Sequence, residues 1–285
     1  MRNQFVRTIT EIMEKDENLY LLLGDIGVYG FRHVLEKYSE RSHNIGICEQ
    51  ATISLASGLA MTGFIPVVHS IAPFLVERAY EQLKIDFAYQ RLGGNFVSVG
   101  GSFEYNKLGS THHCPADVSI LSQIPNMQIV VPGHPKEFDI LFKQGYSNGQ
   151  PTYYRLSECQ NIDSFDVDFG CVLPLRQTGT RFTMLVTGPA YGYIKDLLSV
   201  NSGINVLYCT TVAPLDLETI RKHIVNNKLM VVEPYYSAIL PEIANAFPSV
   251  ETISIAHDKK FVDVGFDEQT DIVKKVVFQM RRLRW

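Results

Sequence analysis

At 285 residues the chain exceeds the roughly 100 to 200 residues of an ordinary single domain, so two moderate domains are expected. Apolar residues make up 46% against 20% charged, which excludes a disordered chain, and the net charge of −4 comes from interspersed acids and bases without the basic stripe of a nucleic-acid binder. Five scattered cysteines (Cys48, Cys114, Cys159, Cys171 and Cys209) with no CxxC pair point away from a disulfide framework or zinc site and toward a reducing, cytoplasmic setting; the charged, amphipathic N-terminus is no signal peptide, and no apolar run approaches the roughly 20 residues of a membrane span.

In chain order, Phe5, Val6, Ile9, Ile12 and Met13 recur at helical spacing, and Leu19 to Leu23 read as a buried strand ending at Gly24-Asp25. The alternation continues with a helix from Glu49 to Met61 closed by Gly63, a strand at Ile65 to Val68, a helix from Phe74 to Tyr89 and a strand at Phe96 to Val99. After a loop rich in Gly and His come a strand at Met127 to Val131, a helix at Lys136 to Tyr146 and a strand at Thr152 to Leu156. Residues 161–180 lose helical periodicity and gain Asp, Gly and Pro, which predicts a linker with room for short extended pieces. A second run of four strands (FTMLV, INVLY, LMVVE, ETISI) and four helices follows, with Asp216 placed to cap the helix that starts at Leu217. Alternating strands and helices predict two doubly wound α/β domains, residues 1–160 and 181–285, with ligands at the carboxyl ends of the strands, where the loops Gly24 to Gly30 and Gly100 to Cys114 lie.

Two stretches, NIGICEQATISLASGLAMTGFIPVVHS and GSTHHCPADVSIL, resemble the pyrimidine-binding domain of transketolase and deoxyxylulose-phosphate synthase. GDIG, APFLVERAYEQ and IPNMQIVVPGHPKEF extend the resemblance, and TTVAPLD and VVEP look like the transketolase C-terminal domain. The resemblance implies a pyrimidine-binding thiamine-diphosphate fold followed by a transketolase C-terminal-like domain. It also implies a transferase that moves a two-carbon ketol unit between sugars. Glu49 matches the glutamate that activates the cofactor: a carboxyl among Ile45, Ile47, Ile53 and Leu55 can share a proton with a ring nitrogen of the aminopyrimidine. The alternative is a carboxylate that merely sits in the first turn of a helix. Phe74 and Tyr80 match aromatic rings that hold the pyrimidine, with core packing a rival for Tyr80. Asp25 matches an aspartate near the thiazolium, or is a turn residue.

On the substrate side, His112 matches the histidine of a GPTH motif that faces the reactive carbon, and His113 a second histidine of some relatives. Arg155 matches a substrate-binding arginine; Arg78 matches an arginine one residue out of register or forms a surface ion pair; His69 is a weaker candidate. Glu158 falls where a phosphate-binding arginine is usual, Leu108 replaces an aspartate, Ser110 a proline and Gly100 a histidine, so a modified or nucleotide-linked sugar acceptor is expected in place of an ordinary pentose phosphate.

The family's Gly-Asp-Gly plus Asn motif, which holds Mg2+ or Ca2+ against the diphosphate, has no match, and no metal ligands are expected in this chain. The resemblance thus implies a separate pyrophosphate-binding, N-terminal transketolase-like subunit and an α2β2 heterotetramer, with a small sugar as substrate and neither nucleic acid nor membrane as partner. Competing readings are the β subunit of a 2-oxo acid dehydrogenase first component, a deoxyxylulose-phosphate-synthase-like carboligase, and a non-catalytic interaction subunit.

Overall fold

The computed structural model describes residues 1–283; the last two residues of the second unit, Arg284 and Trp285, lie outside the described residues. Helix α1 (Arg2–Met13) buries the apolar stripe read from its spacing, Phe5, Ile9, Ile12 and Met13, and leads to β1 (Leu19–Leu23). Then come α2 (Val28–Lys37), the short β2 (Ser42–Asn44), α3 (Glu49–Met61) and β3 (Ile65–Ile71). The helical segment that follows is not one regular α-helix. Two π-helical stretches, Pro73–Arg78 and Leu83–Tyr89, flank a single α-turn, α4 (Tyr80–Gln82). Beyond it lie β4 (Gly94–Val99), α5 (Asp117–Leu121), β5 (Gln128–Val130), α6 (Pro135–Gly145) and β6 (Pro151–Arg155).

The segment expected to be a linker contains a strand, β7 (Val172–Arg176). After it the chain runs β8 (Phe182–Thr187), α7 (Ala190–Ser199), β9 (Ile204–Cys209), β10 (Thr211–Ala213), α8 (Leu217–His223), β11 (Lys228–Val232), α9 (Leu240–Ala246), β12 (Glu251–Ile255) and α10 (Glu268–Leu283). Asp216 caps α8 as expected, accepting from the Thr219 N–H at 3.0 Å.

Two sheets result. The first has the order β10-β5-β6-β4-β3-β1-β2 and is parallel except for β10, which pairs antiparallel with β5. The second has the order β12-β11-β8-β9-β7, parallel except for the edge strand β7. Central strands covered on both sides are buried along their length, as β4, β6, β8 and β9 are, and polar residues they carry, such as Asn95, Ser98 and Arg155, are hydrogen-bonded. Side chains alternate across the first sheet. Leu22, Val68, Phe96 and Tyr153 enter the cluster on one face, and Leu21, Leu23, Val67, Val97 and Tyr154 the cluster on the other. The architecture is α/β, with the carboxyl ends of β3, β4 and β6 side by side. Among the described residues, no helix is long and apolar enough to cross a membrane.

Candidate active site

Glu49 opens α3, behind a Cys48 cap that makes no side-chain capping bond, so the helix's free N–H groups favour a negative charge there. The carboxyl is nonetheless almost fully buried, at 1% exposure. Burial on this scale requires partners. Ser70, near the end of β3, donates to Oε1 at 3.1 Å, and Arg78 donates from Nη1 to Oε2 at 2.6 Å. The π-helical stretch carrying Arg78 also carries Phe74, and the guanidinium carbon lies 4.2 Å from the centre of the Phe74 ring. Arg78 therefore reaches an acid that is buried, not one on the surface.

Phe74 meets His112 edge to face at 5.3 Å, and His112 meets Tyr105 in the same manner at 6.3 Å. The loop 100–114 that presents His112 is held by the second unit. The Ser102 hydroxyl donates to the Pro234 carbonyl, the Phe103 N–H donates to Glu268 at 2.9 Å, and the Gly265 N–H donates to the Asn106 carbonyl at 3.2 Å. Tyr105 lies over Gly100, where a Cβ would stand 2.2 Å from its ring, so this tyrosine fills the space above that glycine. Beyond Tyr105 stands Arg2, which donates to the tyrosine hydroxyl and, at 3.2 Å, to Glu158. Nothing in the sequence pattern marks Arg2 or Tyr105 as site residues, since each joins through a contact about a hundred positions away along the chain.

The two adjacent histidines diverge. His112 is half-buried, with Nδ1 3.0 Å from the Thr111 hydroxyl, whereas His113 turns inward against Phe103. Burial lowers the His113 pKa, with His112 acting in the same direction, and its Nε2 is buried without a partner. Asp25, exposed and with φ 59°, is tied to Asn44 in both directions: its N–H donates at 2.9 Å and its carboxylate accepts at 3.1 Å. Asn44 also accepts from the Gly46 N–H at 3.3 Å, which links Asp25 to the turn before Glu49.

Three other candidates sit apart from this group. The Tyr80 ring packs against the core, and its hydroxyl donates to the Ile120 carbonyl at 3.3 Å. His69 is buried with Nδ1 2.7 Å from the Val97 carbonyl, so Nδ1 carries a hydrogen, and burial lowers its pKa to about 4. Arg155 lies beneath Gly101, packed so closely that a Cβ there would stand 2.5 Å from the guanidinium carbon. Its Nε donates to Asp117 at 2.7 Å and its Nη2 to Ser102 at 2.6 Å. Burial works against its charge and Asp117 outweighs it, so the guanidinium is held charged more firmly than usual. Glu49, Arg78, Phe74, His112, Tyr105, Arg2 and Glu158 thus form one continuous string of contacts.

The model of the transketolase pyrimidine-binding domain matches residues 1–161, more than half of the chain. The chain belongs to the transketolase family. It is 31% identical over 93% of its length to a 33.6 kDa protein of the fasciation locus of Rhodococcoides fascians, covering 83% of that protein. It is 30% identical over 78% of its length to a subunit of the apulose-4-phosphate transketolase of Phocaeicola vulgatus, covering 74% of it. Among solved structures, a split-gene transketolase described as an inactive β4 tetramer superposes with a TM-score of 0.82 at 20% identity, over 98% of this chain and 97% of that one. The family carries out transferase chemistry with thiamine diphosphate, and this chain is of the kind that forms the C-terminal subunit of split transketolases. Among the described residues, no group of three His, Cys, Asp or Glu side chains stands close enough to hold a metal ion.

Proposed function

We propose that the chain is the pyrimidine-binding subunit of a heteromeric, cytoplasmic transketolase that moves a two-carbon ketol unit between sugars, one of them a modified sugar. The observation that carries this reading is the Arg78 guanidinium, a flat group of N–H donors resting on Phe74 and donating to the buried Glu49 at 2.6 Å. An aminopyrimidine is likewise flat, stacks on an aromatic face and requires a carboxyl at its ring nitrogen, so the residues fit the group.

When bound, thiamine diphosphate supplies the nucleophilic carbon that takes up and hands on the ketol unit. Glu49 holds a proton at the ring nitrogen, fixed in place by Ser70. Phe74 gives the stacking face. His112, edge-on to Phe74, exchanges hydrogen bonds and protons with substrate oxygens at the reacting carbon, and Asp25 borders the far side of the Glu49 turn. Arg155 acts from beneath, holding the hydroxyl of Ser102 in the loop that presents His112, with His113 packed against the neighbouring Phe103.

The diphosphate and its Mg2+ or Ca2+ fall to a separate pyrophosphate-binding subunit in an α2β2 heterotetramer. One relative is named as a subunit of a transketolase, and a similar fold is described as inactive when assembled as a β4 tetramer; both support this arrangement.

Co-purification with a pyrophosphate-binding partner, followed by titration with thiamine diphosphate and assay of ketol transfer, tests the proposal. Glu49→Gln is expected to lower turnover about 10²- to 10⁴-fold, the range that one positioned acid-base group contributes. Undiminished turnover in that variant, or a complex that takes up no thiamine diphosphate, refutes it.

A further inference from the structure

The string of contacts from Glu49 to Glu158 ends in a cavity of about 300 Å3 lined by Met1, Arg2, Asn3, Val99, Ser157 and Glu158. If the reacting carbon lies at His112, as the proposed function requires, this cavity receives the far end of the substrate chain. The resemblance to transketolases implies that Glu158 stands in place of a phosphate-binding arginine, and a carboxylate there repels phosphate. The structure adds the answering charge: Arg2, from the first turn of α1, donates to Glu158 at 3.2 Å and to the Tyr105 hydroxyl. The floor is built rather than incidental. Glu104 accepts from the Ser157 hydroxyl and, at 2.9 Å, from the Glu158 N–H, which fixes the backbone carrying Glu158.

We infer that Arg2 and Glu158 are specificity-determining residues that select a substrate with an uncharged polyhydroxyl terminus in place of a phosphate ester. The Arg2 and Glu158 charges cancel, and burial lowers the pKa of the Met1 amino group that also lines the cavity and so weakens the one remaining charge, while the spare guanidinium N–H groups, the second carboxylate oxygen and the Asn3 amide offer donors and acceptors in mixture. Hydroxyl groups both donate and accept, and they suit such a lining. A phosphate dianion would have to draw Arg2 away from Glu158 and would then face a bare carboxylate, a like-charge contact that disfavours binding. The pair itself is half-exposed, with side chains 45% and 50% accessible. It contributes little to folding, so its role is to be sought in recognition, and substitutions there leave the fold intact.

The test is steady-state kinetics of the reconstituted two-subunit enzyme with a common ketose donor and two acceptors, erythrose and erythrose 4-phosphate. Wild type is expected to favour erythrose in kcat/KM by about tenfold or more, the effect falling mainly on KM, as befits an unneutralised like charge. Glu158→Gln frees Arg2 and is expected to shift that ratio toward the phosphate ester by about tenfold; Arg2→Gln, which strips Glu158 of its partner, is expected to shift it about as far the other way. A wild-type preference for the phosphate ester, or ratios unmoved by both substitutions, overturns the inference while leaving ketol transfer standing. Absence of transfer to either acceptor overturns it together with the function on which it rests.

Discussion

Arg155 and Asp117 form an ion pair with almost no exposed surface, 1% and 0% for the two side chains. Around it the Tyr153 hydroxyl donates to Asp117 at 3.0 Å and Ser102 accepts from Arg155, so each charge has the hydrogen bonds that burial demands. Asp117→Asn is expected to cost about 3 to 5 kcal/mol, because it leaves a guanidinium buried against a neutral amide. Urea unfolding of the variant and wild type measures it, and a loss below about 1 kcal/mol, the range of exposed pairs, would show that water reaches the guanidinium. The same residues show how far a site can be read from a chain. Glu49 and His112 could be nominated from the chain because their neighbours in sequence are their neighbours in the motif. The burial of Arg155 was not: its partner lies 38 positions upstream and its roof is Gly101, contacts that no local pattern records. Arg78 was half legible. Its pairing with an acid follows from its charge, but that the acid is Glu49 depends on how the intervening helix winds.

That winding is the main departure at the scale of elements. Apolar spacing predicts one helix from Phe74 to Tyr89, whereas the backbone uses π-helical stretches on both sides of Tyr80–Gln82. Extra residues per turn change which side chains share a face, and such distortions concentrate at functional sites. Here they send Phe74 and Arg78 toward Glu49 while Tyr80 turns to the core and bonds Ile120. The two rings matched to the pyrimidine should therefore behave differently. Phe74→Ala is expected to weaken thiamine diphosphate binding by the two-subunit complex about tenfold, through loss of a stacking face and its burial. Tyr80→Phe removes one hydrogen bond, at a cost of about 1 kcal/mol in stability, and should hold affinity within about twofold. Calorimetric titration and thermal unfolding of both variants separate the roles, and a Phe74→Ala complex that binds as tightly as wild type would remove that ring from the site. Other elements escaped notice for plainer reasons. α2 buries only Phe31 and Val34, too few to show a period, and β2 and β10 have three residues each.

At the scale of the whole molecule, the two sheets are not independent. β10, which follows directly on β9 of the second sheet, pairs with β5 of the first, a join invisible to any reading that takes the chain unit by unit. The loop that presents His112 is fastened across the same boundary through Phe103 and Glu268. Beside that contact, burial and then the charge of Glu268 push the Glu104 carboxyl up to about 8, and one of its oxygens is buried without a partner, as suits a protonated acid. Glu233 is pushed up to about 7 by burial. Two histidines shift the other way, His69 and His257 each lowered to about 4 by burial. These directions set a pH profile. A carboxyl whose pKa is raised on folding stabilises fully below its unfolded value of 4.5, and that stability is lost as pH rises through the folded value. A histidine whose pKa is lowered acts oppositely, adding stability as pH rises from about 4 to 6.5. Between 4.5 and 6.5 the two pairs offset each other; from 6.5 to about 8 the carboxyls pull stability down, opposed in part by the Met1 amino group, whose pKa burial lowers. The melting temperature should therefore be nearly level up to about pH 6.5 and fall by several degrees by about pH 8. Glu104→Gln, which keeps the neutral shape at every pH, should remove most of that fall. Melting curves of the two proteins across this range decide the matter: a wild-type profile that rises above pH 6.5, or a variant that declines as steeply, would mean that Glu104 is ionised in the folded protein and that the boundary between the sheets reaches water.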